Sequence, residues 1–565
     1  MGASQSAEGG VRFEDDALFS GCCSTSTQPP ELKEKVMVEQ PPRLKFGDLA
    51  KPFKVFKEGL VPDPSVMVQL GPIIGKITER TAIVLVEVAP AAEVTCHLIP
   101  IAPDDENPGA SKNASRRQAR LLRVGKLEFT KEGATSLAQQ LEANKPRPFF
   151  FDDLQPATQY LVVLSGVCQS DMLNRMGQLR TFPDQVDRIR VLVASGNDIN
   201  AVDEQDDSGD TTWSRVVEIG QSFDIDVMLH VGDVAGPSRQ DQRVAEGVLR
   251  DYELFKEGVQ VEKDAEVVDL FREAYKRSWN DPSLRSIFSR MGSHLMIMGD
   301  RDIGTDHGVP FPDGGQRYSP AFLRNAVDAY RAYGRQLWDP EMQPRTRIQE
   351  WHFQEVGAVG FFFLDPFSNQ FNFKGEVVPG RPLIGEEQWE GLRNALAANI
   401  RVIIVCSPSP MLHDSPEQGQ EHAEKFPYLR NHWMSRAAEF AQLLHLLFHW
   451  KHAQFPFREA VLISGGGKCG CTTDIQDKEL GLNLPLVSTG PVAGLCEKWT
   501  SPESGHIDDR FSYMHCPLPG QYNFCTMDVD LSSRTMKPSV DIQLIGIPVG
   551  HELVLDHRRP LVDPP

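Results

Sequence analysis

Hydrophobic and polar residues follow three successive patterns along this chain. Residues 1–45 show no sustained apolar periodicity and are rich in Ser, Gln, Glu, Gly and Pro. They are expected to be disordered, because they bury too little apolar surface to offset the entropy of ordering. From about 65 to 182, β-branched apolar runs such as 81–88 and 159–166 are bounded by Pro and Gly and predict strands. After residue 183, short buried runs alternate with helical stretches, which predicts an α/β sheet.

The predicted strands of this α/β part end in loops rich in Gly, Asp, Asn or Ser. Ligands of layered α/β folds bind at the carboxyl ends of the strands, so these loops are the candidate site. The strand segments are 189–200, 224–236, 294–304, 359–366, 399–410 and 460–470, and the helical segments are 242–278, 320–337, 386–397 and 434–452.

The earlier strand-rich part carries one local signature. The sequence DDLQPATQYLV at 152–162 resembles the corner of fibronectin type III-like sandwiches, where a Tyr hydroxyl bonds to nearby backbone. We therefore predict a small all-β sandwich, with a polar insertion around 102–146, and expect it to act as a scaffold.

Composition narrows the class of protein. A chain of 565 residues predicts two or three domains, and 40% hydrophobic with 24% charged residues is typical of a soluble globular protein. The net charge of −20 argues against nucleic acid as a partner, because phosphate backbones attract basic surfaces. No apolar stretch approaches the length of a membrane span, and no secretory signal is recognisable. The 10 cysteines lack the spacing of a disulfide framework, which indicates a cytosolic protein.

The first residues match an acylation pattern. MGASQS places Gly2 and Ser6 where N-myristoylation requires them, and Cys22 and Cys23 are candidates for palmitoylation. One myristoyl chain binds membranes only marginally, so the second signal matters. We expect a lipid anchor on the cytosolic face of a membrane. The alternative is a chance match in an unmodified tail.

Two strand ends carry the strongest catalytic fragments, Gly232-Asp233 and the sequence GDRD at 299–302. Two-metal phosphoesterases gather Asp, Asn and His at such loops, because two cations clamp the phosphoryl oxygens and supply a hydroxide. A Gly-Asp turn alone is a weak signal, since it is common loop punctuation.

Several segments in order resemble the PhoD-like phosphatases, which are metallophosphoesterases. They are GPIIGKITERTAIVLVEV (71–88), FREAYKRSWNDPSLRSIFSRMGSHLMIMGDRDIGTDHG (271–308), PLIGEEQWEGLRNAL (382–396), VIIVCSPSPM (402–411) and AVLISGGGKCG (460–470). The resemblance implies a fibronectin type III-like sandwich followed by a four-layer α/β core, and hydrolysis of phosphate esters. The implied divisions are a tail over 1–60, the sandwich over 61–183, the phosphatase domain over 184–550 and a C-terminal tail over 551–565.

The metal motifs of the family are only partly matched. Where it has Ser-Cys, this chain has Ser195-Gly196-Asn197-Asp198, and after Gly232-Asp233 the family's Tyr and Asp are missing. The family's Trp-Asp-Asp-His-Asp appears as 298–302, MGDRD, and its Ser-Gly-Asp-Val-His as 464–468, SGGGK. A family Arg expected after Asp365 is also missing. The remaining candidate metal ligands are Asp233, Asp300, Asp302, Asn197 and Asp198.

Histidines in predicted loops are the other possible ligands. His413 and His307 are predicted to lie in loops, from which they could reach the site, and His307, five residues after Asp302, is the candidate relocated ligand. The pairs Cys469/Cys471 and His445/His449 lack the partners of a zinc site, so we expect ordinary thiols and packing or surface imidazoles.

Cations stand at two positions where the family has His. Arg301 and Lys468 bring positive charge and no lone pair, so they oppose metal binding. One interpretation is a cationic pocket for phosphate, helped by backbone N–H groups of the GGGK loop. The other is that both are surface residues or ion-pair partners of Asp300 and Asp302.

These observations predict a PhoD-like protein with little or no ordinary phosphatase activity. It would bind a phospho-ligand or act as a membrane-tethered scaffold. The alternative is an active metal-dependent phosphomonoesterase or phosphodiesterase with a reduced ligand set, using Ca, Fe, Mn or Zn. A third possibility is that the old pocket binds nothing.

Overall fold

The structure is a computed structural model that describes most of the chain. The described residues are 60–100, 134–197, 212–235, 257–303, 320–342, 349–370, 381–425, 432–494, 496–532 and 537–548. The predicted N-terminal tail, most of the polar insertion, Asp198 and His307 lie outside these ranges.

The first part of the described chain is built from two antiparallel sheets. One has the order β1-β2-β5 and the other β4-β3-β6-β7. The strands are β1 Met67–Ile77, β2 Ala82–Ala89, β3 Ala92–Pro100, β4 Thr135–Leu141, β5 Arg147–Phe151, β6 Gln159–Ser165 and β7 Gly177–Arg180, with helix α1 at Gln169–Asn174. Side chains from both sheets meet in one buried cluster, including Val84, Phe149, Val94 and Val162. The predicted strands at 81–88 and 159–166 are therefore confirmed.

A tyrosine closes the corner before β6. The hydroxyl of Tyr160 accepts a hydrogen bond from the backbone N–H of Gln155 at 2.9 Å. This is the contact that the sequence of the corner predicted. The assignment of this part to the fibronectin type III type, and its boundary at 183, stay predictions.

Strands and helices alternate in the remainder of the chain. The strands are β8 Arg188–Asn197, β9 Val227–Val231, β10 Ser293–Ile297, β11 His352–Val356, β12 Val359–Phe363, β13 Val402–Ser407, β14 Glu459–Ser464, β15 Gly470–Asp477, β16 Leu482–Ser488, β17 Pro491–Ala493, β18 Ser504–His506, β19 Phe511–Leu518, β20 Gln521–Asp530 and β21 Ser539–Pro548. The helices are α2 Thr212–Phe223, α3 Glu257–Trp279, α4 Pro282–Arg290, α5 Pro320–Tyr333, α6 Glu386–Ala397, α7 Pro416–Lys425 and α8 Ala437–Ala453, with 3₁₀ turns at Arg335–Leu337, Ser368–Gln370 and Trp433–Arg436.

These strands form two mixed sheets. The first has the order β10-β9-β8-β20-β21, with β17 also paired to β8, and its strands β8, β9 and β10 are parallel. The second has the order β11-β12-β13-β14-β16-β15-β19-β18, with β12, β13, β14 and β16 parallel. The chain passes from the second sheet to the first between β16 and β17.

Buried apolar side chains hold the sheets and helices together. Val193 and Leu229 of the first sheet share a cluster with Ile404 and Ile463 of the second. A second cluster packs α2 to α5 on the first sheet, and a third packs α6 and α8 on the second. Burying each large aliphatic side chain contributes about 1.5–3 kcal/mol. The mixed α/β class is as predicted, while the four-layer metallophosphoesterase core stays a prediction.

Buried polar contacts join the N-terminal sheets to the α/β part. Glu87 on β2 is fully buried, and its Oε2 accepts a 2.8 Å hydrogen bond from the hydroxyl of Tyr333. Its Oε1 lies 3.5 Å from the Lys276 ammonium. Arg180 at the end of β7 pairs with Asp226 before β9 at 2.6 Å. The two parts are therefore packed against each other by charge as well as by apolar contact.

Candidate functional site

The carboxyl ends of the parallel strands meet in one region. The backbone N–H of Asn197 after β8 donates to the Asp233 carbonyl at 2.7 Å, and Gly232 N–H donates to the Ile297 carbonyl at 3.1 Å. The Ser195 hydroxyl reaches across to the Thr489 carbonyl beyond β16 at 2.9 Å. The predicted strand-end loops are thus brought together, as expected for layered α/β folds.

Gly465 allows the two sheets to approach each other at this place. A Cβ on Gly465 would lie 1.8 Å from the carbonyl oxygen of Val231. Any side chain there would push apart the ends of β14 and β9. The first glycine of the GGGK loop is therefore required by packing.

Asp233 lies at the centre of the region, in a constrained loop. Its backbone φ is +53° and its exposed fraction is 5%. A Cβ on Gly299 would lie 2.2 Å from Asp233 Oδ1, so only glycine fits there. The same oxygen accepts a hydrogen bond from the Arg301 backbone N–H at 3.2 Å.

The ionised form of Asp233 is disfavoured. Burial is the main cause of a pKa well above the usual range for this carboxyl, and Asp300 and Asp302 add to it by charge repulsion. Arg301 opposes the shift through its charge and its backbone N–H. Asp233, Asp300 and Asp302 therefore lie near one another. Their role as metal ligands stays a prediction.

Asp302 joins two of the loops. Its Oδ1 accepts from the backbone N–H of Ala235 at 2.9 Å, and its Oδ2 accepts from Gly299 N–H at 2.8 Å. The side chain is fully buried, and burial raises its pKa to about 6 although these N–H donors favour the charged form. Both carboxylate oxygens are thus engaged in holding the loops after β9 and β10.

The amide of Asn197 is also engaged by protein groups. Its Nδ2 donates to the Val234 carbonyl at 2.9 Å and to the Ser278 hydroxyl at 2.8 Å. Its Oδ1 accepts from the Trp213 indole N–H at 2.8 Å. Asn197 therefore anchors the end of β8 to neighbouring helices.

The two cations of the predicted anion pocket differ in their surroundings. Arg301 is partly buried and lies close enough to Asp233 to influence its charge. Lys468 forms an ion pair with Glu497, and both side chains are nearly half exposed, at 45% and 49%. Its partner is thus Glu497, a residue the sequence analysis did not consider.

The described residues do not fit a two-metal centre in this arrangement. No group of three or more His, Cys, Asp or Glu side chains within them is placed to hold a metal ion. In two of the predicted ligands, Asp302 and Asn197, the side-chain oxygens already accept hydrogen bonds from protein donors. The described residues therefore supply no complete ligand set for two metal ions.

A group of imidazoles lies beside these loops. Removal from water lowers the pKa of His432 to about 4, and His413 and Lys468 act in the same direction, while Asp300 and Asp414 oppose it. Burial also lowers the pKa of His413, so both rings are neutral near pH 7. The indole of Trp433, next to His432, donates to the Ser407 hydroxyl at 2.9 Å, which fixes this segment at the end of β13.

His432 was missed by the sequence analysis because no motif spacing marks it. Its neighbours come from loops that are distant in the chain, so their convergence requires the fold. The carboxylate of Asp414 accepts from His422 at 3.1 Å and from Ser501 at 3.4 Å. This region therefore brings Asp300, Asp414 and Lys468 close to the imidazoles of His413 and His432.

The pairs Cys469/Cys471 and His445/His449 take no part in a site of described residues. Both thiols are buried, and burial raises the pKa of each to about 12, which makes them unreactive. The two imidazoles stack on α8 with centroids 6.3 Å apart, and His445 packs on Phe511.

The predicted acylation sites Gly2, Cys22 and Cys23 lie outside the described residues. None of the described helices is long and apolar enough to cross a membrane.

Comparison with known proteins gives only distant similarity. No protein-family profile matches the chain. No curated protein matches its sequence either. A solved structure of PhoD is similar with a TM-score of 0.49 and 11% identity, covering 86% of this chain and 92% of that one. A β-glucuronidase from Parabacteroides merdae has a TM-score of 0.22 and 8% identity, covering 85% of this chain and 64% of that one. Similarity at these levels does not establish a family.

Proposed function

We propose that this chain is a PhoD-like metallophosphatase-family protein with little or no phosphatase activity, whose strand-end loops bind a phosphorylated ligand. The observation that carries the proposal is the engagement of both Asp302 oxygens by backbone N–H groups. A carboxylate with both oxygens hydrogen-bonded to the backbone holds the loops together. Its lone pairs are then less available to a metal ion. The ordered segments that resemble the family support the fold assignment, with a four-layer core behind a fibronectin type III-like sandwich.

Two cations, Arg301 and Lys468, support phosphate as the ligand of this region. Two-metal catalysis needs several ionised or neutral lone-pair donors around each cation. Here burial raises the pKa of Asp233, which opposes the ionised form that a metal ligand needs. Arg301 adds permanent positive charge next to it.

Lys468 is available to an anion at small cost. Its ion pair with Glu497 is nearly half exposed, and such surface pairs contribute about 0–1 kcal/mol. A dianionic phosphate offers stronger charge-assisted bonds than a single carboxylate. The ligand would therefore displace Glu497 from Lys468 on binding to the strand-end loops.

Metal analysis and turnover test the loss of catalysis. We expect purified protein loaded with Zn, Mn, Fe or Ca and then dialysed to retain well under one equivalent of metal. We also expect no hydrolysis of p-nitrophenyl phosphate or bis-p-nitrophenyl phosphate above that of Asp233→Ala. Retention of about two metals, with turnover that Asp233→Ala abolishes, would show instead that the protein is a phosphoesterase.

Binding of phosphate tests the ligand class with the same protein. Calorimetric titration with inorganic phosphate should detect binding, and Lys468→Met should weaken it by about tenfold, the effect of one lost charge-assisted bond. Lys478→Met, on an exposed lysine at the far end of β15, is the matched control and should leave affinity unchanged.

One observation favours an active phosphoesterase as the second candidate. Asp300 is only partly buried, and its carboxylate accepts no hydrogen bond from the described residues. Together with Asp233 and His432 it would supply a reduced set of ligands. The metal analysis described above separates the two functions.

We also propose that acylation tethers the protein to the cytosolic face of a membrane. The support is the co-occurrence of Gly2 and Ser6 with Cys22 and Cys23 in one N-terminal segment. In cell fractionation, Gly2→Ala should move most of the protein from the membrane to the soluble fraction, because one remaining signal binds weakly. An unchanged distribution would rule out the anchor.

A further inference from the structure

Strand β21 ends the first mixed sheet, and in the described part of the chain only one of its two edges has a partner strand. It runs from Ser539 to Pro548 beside β20, and the sheet order stops there. All 10 of its residues pair with β20 in one continuous register. In an antiparallel pair, every second residue directs its N–H and C=O away from the partner strand. The outer edge of β21 therefore presents a long, regular row of backbone donors and acceptors.

The outer edge of β21 lacks most of the features that keep sheet edges from pairing. Proteins protect such edges with short strands, bulges, lysines, prolines or a covering element. β21 has no basic residue and one acidic residue, Asp541, and its proline stands at the last position. Its pairing with β20 contains no bulge. The edge is therefore suited to accept another strand.

The other sheet ends of the described chain are short or irregular. β1 has 11 residues, but its pairing contains register shifts and most of its residues are buried. The remaining edge strands have seven residues or fewer, and they are β4, β5, β7, β10, β11 and β18. Among the described strands, the edge that matches β21 best in length and regularity is therefore that of β21 in a second copy of the chain.

Apolar side chains lie on both faces of β21. Val540, Ile542 and Leu544 alternate along one face and pack against the cluster shared by the two mixed sheets. Ile545 and Ile547 lie on the opposite face and pack against the cluster that joins α2 to α5 with the first sheet. All of these side chains are only partly buried. A strand added beside β21 would continue both apolar layers and bury these side chains further.

We propose that the protein forms a two-fold symmetric dimer in which β21 pairs antiparallel with β21 of a second copy. A two-fold axis perpendicular to the sheet does not turn the sheet over, so each apolar face continues across both copies. In a register centred on Leu544, Asp541 faces Ile547 of the other copy, and the two Asp541 carboxylates stay apart. Because both copies use the same edge, the assembly closes at two chains.

The charge of the chain favours this edge over other surfaces. A net charge of −20 opposes association of two copies through most of their surface. β21 carries a single carboxylate in 10 residues, so pairing there avoids most of the repulsion. A contact limited to one strand and its flanking side chains is small beside a standard interface of about 1,600 Å². We therefore expect a weak dimer, with a dissociation constant on the order of 10 μM.

Sedimentation of the purified full-length protein tests the dimer. Between about 1 and 100 μM, the average mass should rise from the chain mass of 63.1 kDa toward twice that value. A mass that stays at one chain over this whole range would overturn the proposal.

Variants of Gln543 test whether β21 forms the contact. Gln543 is exposed in the single chain, and in the dimer it lies next to the two-fold axis. Gln543→Lys and Gln543→Glu each bring two like charges opposite or diagonal to each other, which is unfavourable across a strand pair. At low salt, each variant alone should dimerise about fivefold more weakly. An equal mixture of the two should regain the wild-type affinity, because a lysine then faces a glutamate.

Gln140→Lys is the matched control, because Gln140 is an exposed glutamine on the edge strand β4. It should leave the association unchanged. The Gln543 variants should melt at the wild-type temperature at about 1 μM, where the chain is a monomer, since an exposed side chain contributes little to folding. A dimer that forms equally well in both Gln543 variants, or that their mixture does not restore, would use another surface and refute the β21 contact.

Discussion

At the scale of single residues, Asp302 shows how a charged group at a strand end serves the fold. Its two oxygens bridge the loops after β9 and β10, and its neighbour Asp300 makes no such bond within the described residues. The sequence predicted that these carboxylates would lie together, because strand ends converge. It did not predict their different bonding, which depends on the positive φ of Asp233 and the close approach of Gly299.

Substitution of Asp302 should reveal this role. Asp302→Asn places an amide where one backbone N–H needs an acceptor, and we expect a loss of about 1–3 kcal/mol in unfolding free energy. Asp300→Asn, next but one in the sequence, should have little effect. Thermal unfolding of the two variants at pH 7 provides the comparison, and equal destabilisation would contradict the bridging role.

The same variant has a defined pH dependence. The folded pKa of Asp302, about 6, lies above its ordinary value of 3.8. Protonation of Asp302 therefore adds about 3 kcal/mol to the free energy of unfolding below about pH 4. This contribution is lost as the pH rises through 6. The wild type should melt at a higher temperature than Asp302→Asn, and this difference should be largest at low pH.

At the scale of elements, the prediction succeeded where strands are buried on both faces. The strands β8, β9, β10, β12, β13 and β14 are fully or almost fully buried and have an apolar centre, and all were predicted. The strands after residue 470 were not predicted. β15 and β19 alternate buried and partly exposed positions, with Thr, Asp, Gln and His among them, so their apolar signal is weak. Their pairing in the second sheet stabilises them instead.

The ring contact between Trp499 and His515 depends on these unpredicted elements. His515 lies on β19, and its orientation depends on pairing with Thr473 of β15. A prediction from sequence that misses β15 and β19 cannot place the His515 ring near Trp499. The candidate metal motifs were visible in the sequence because they follow buried strands with an apolar centre.

At the scale of the whole molecule, buried charge joins the N-terminal sheets to the α/β part. Glu87 is fully buried and depends on Tyr333 and Lys276 for compensation, with Arg272 adding a weaker influence. Burial raises the pKa of Glu87, which shows that the pairing only partly offsets desolvation. Such a long-range pair is invisible to sequence patterns.

Removal of the cation should destabilise this contact. We expect Lys276→Met to lower the unfolding free energy by about 3 kcal/mol, because it leaves Glu87 buried without its ammonium partner. The double variant Lys276→Met/Glu87→Gln should regain most of the loss, since the remaining amide carries no charge. Denaturant unfolding measures the cycle, and strict additivity of the two changes would refute the coupling.

The pairing of β8 with β20 has a consequence for how the protein is made. Arg188 begins β8 and pairs with Asp530 of β20, which follows much later in the chain, as does β17, the short strand that also pairs with β8. The neighbour of β8 on its other side is β9, which follows it soon in the chain. During synthesis, β8 therefore leaves the ribosome long before its central neighbour exists. Until β20 is made, this edge of β8 stays unpaired and its apolar side chains stay exposed. Such exposure recruits chaperones and favours aggregation. Truncated chains that end before β20 should consequently accumulate as insoluble protein.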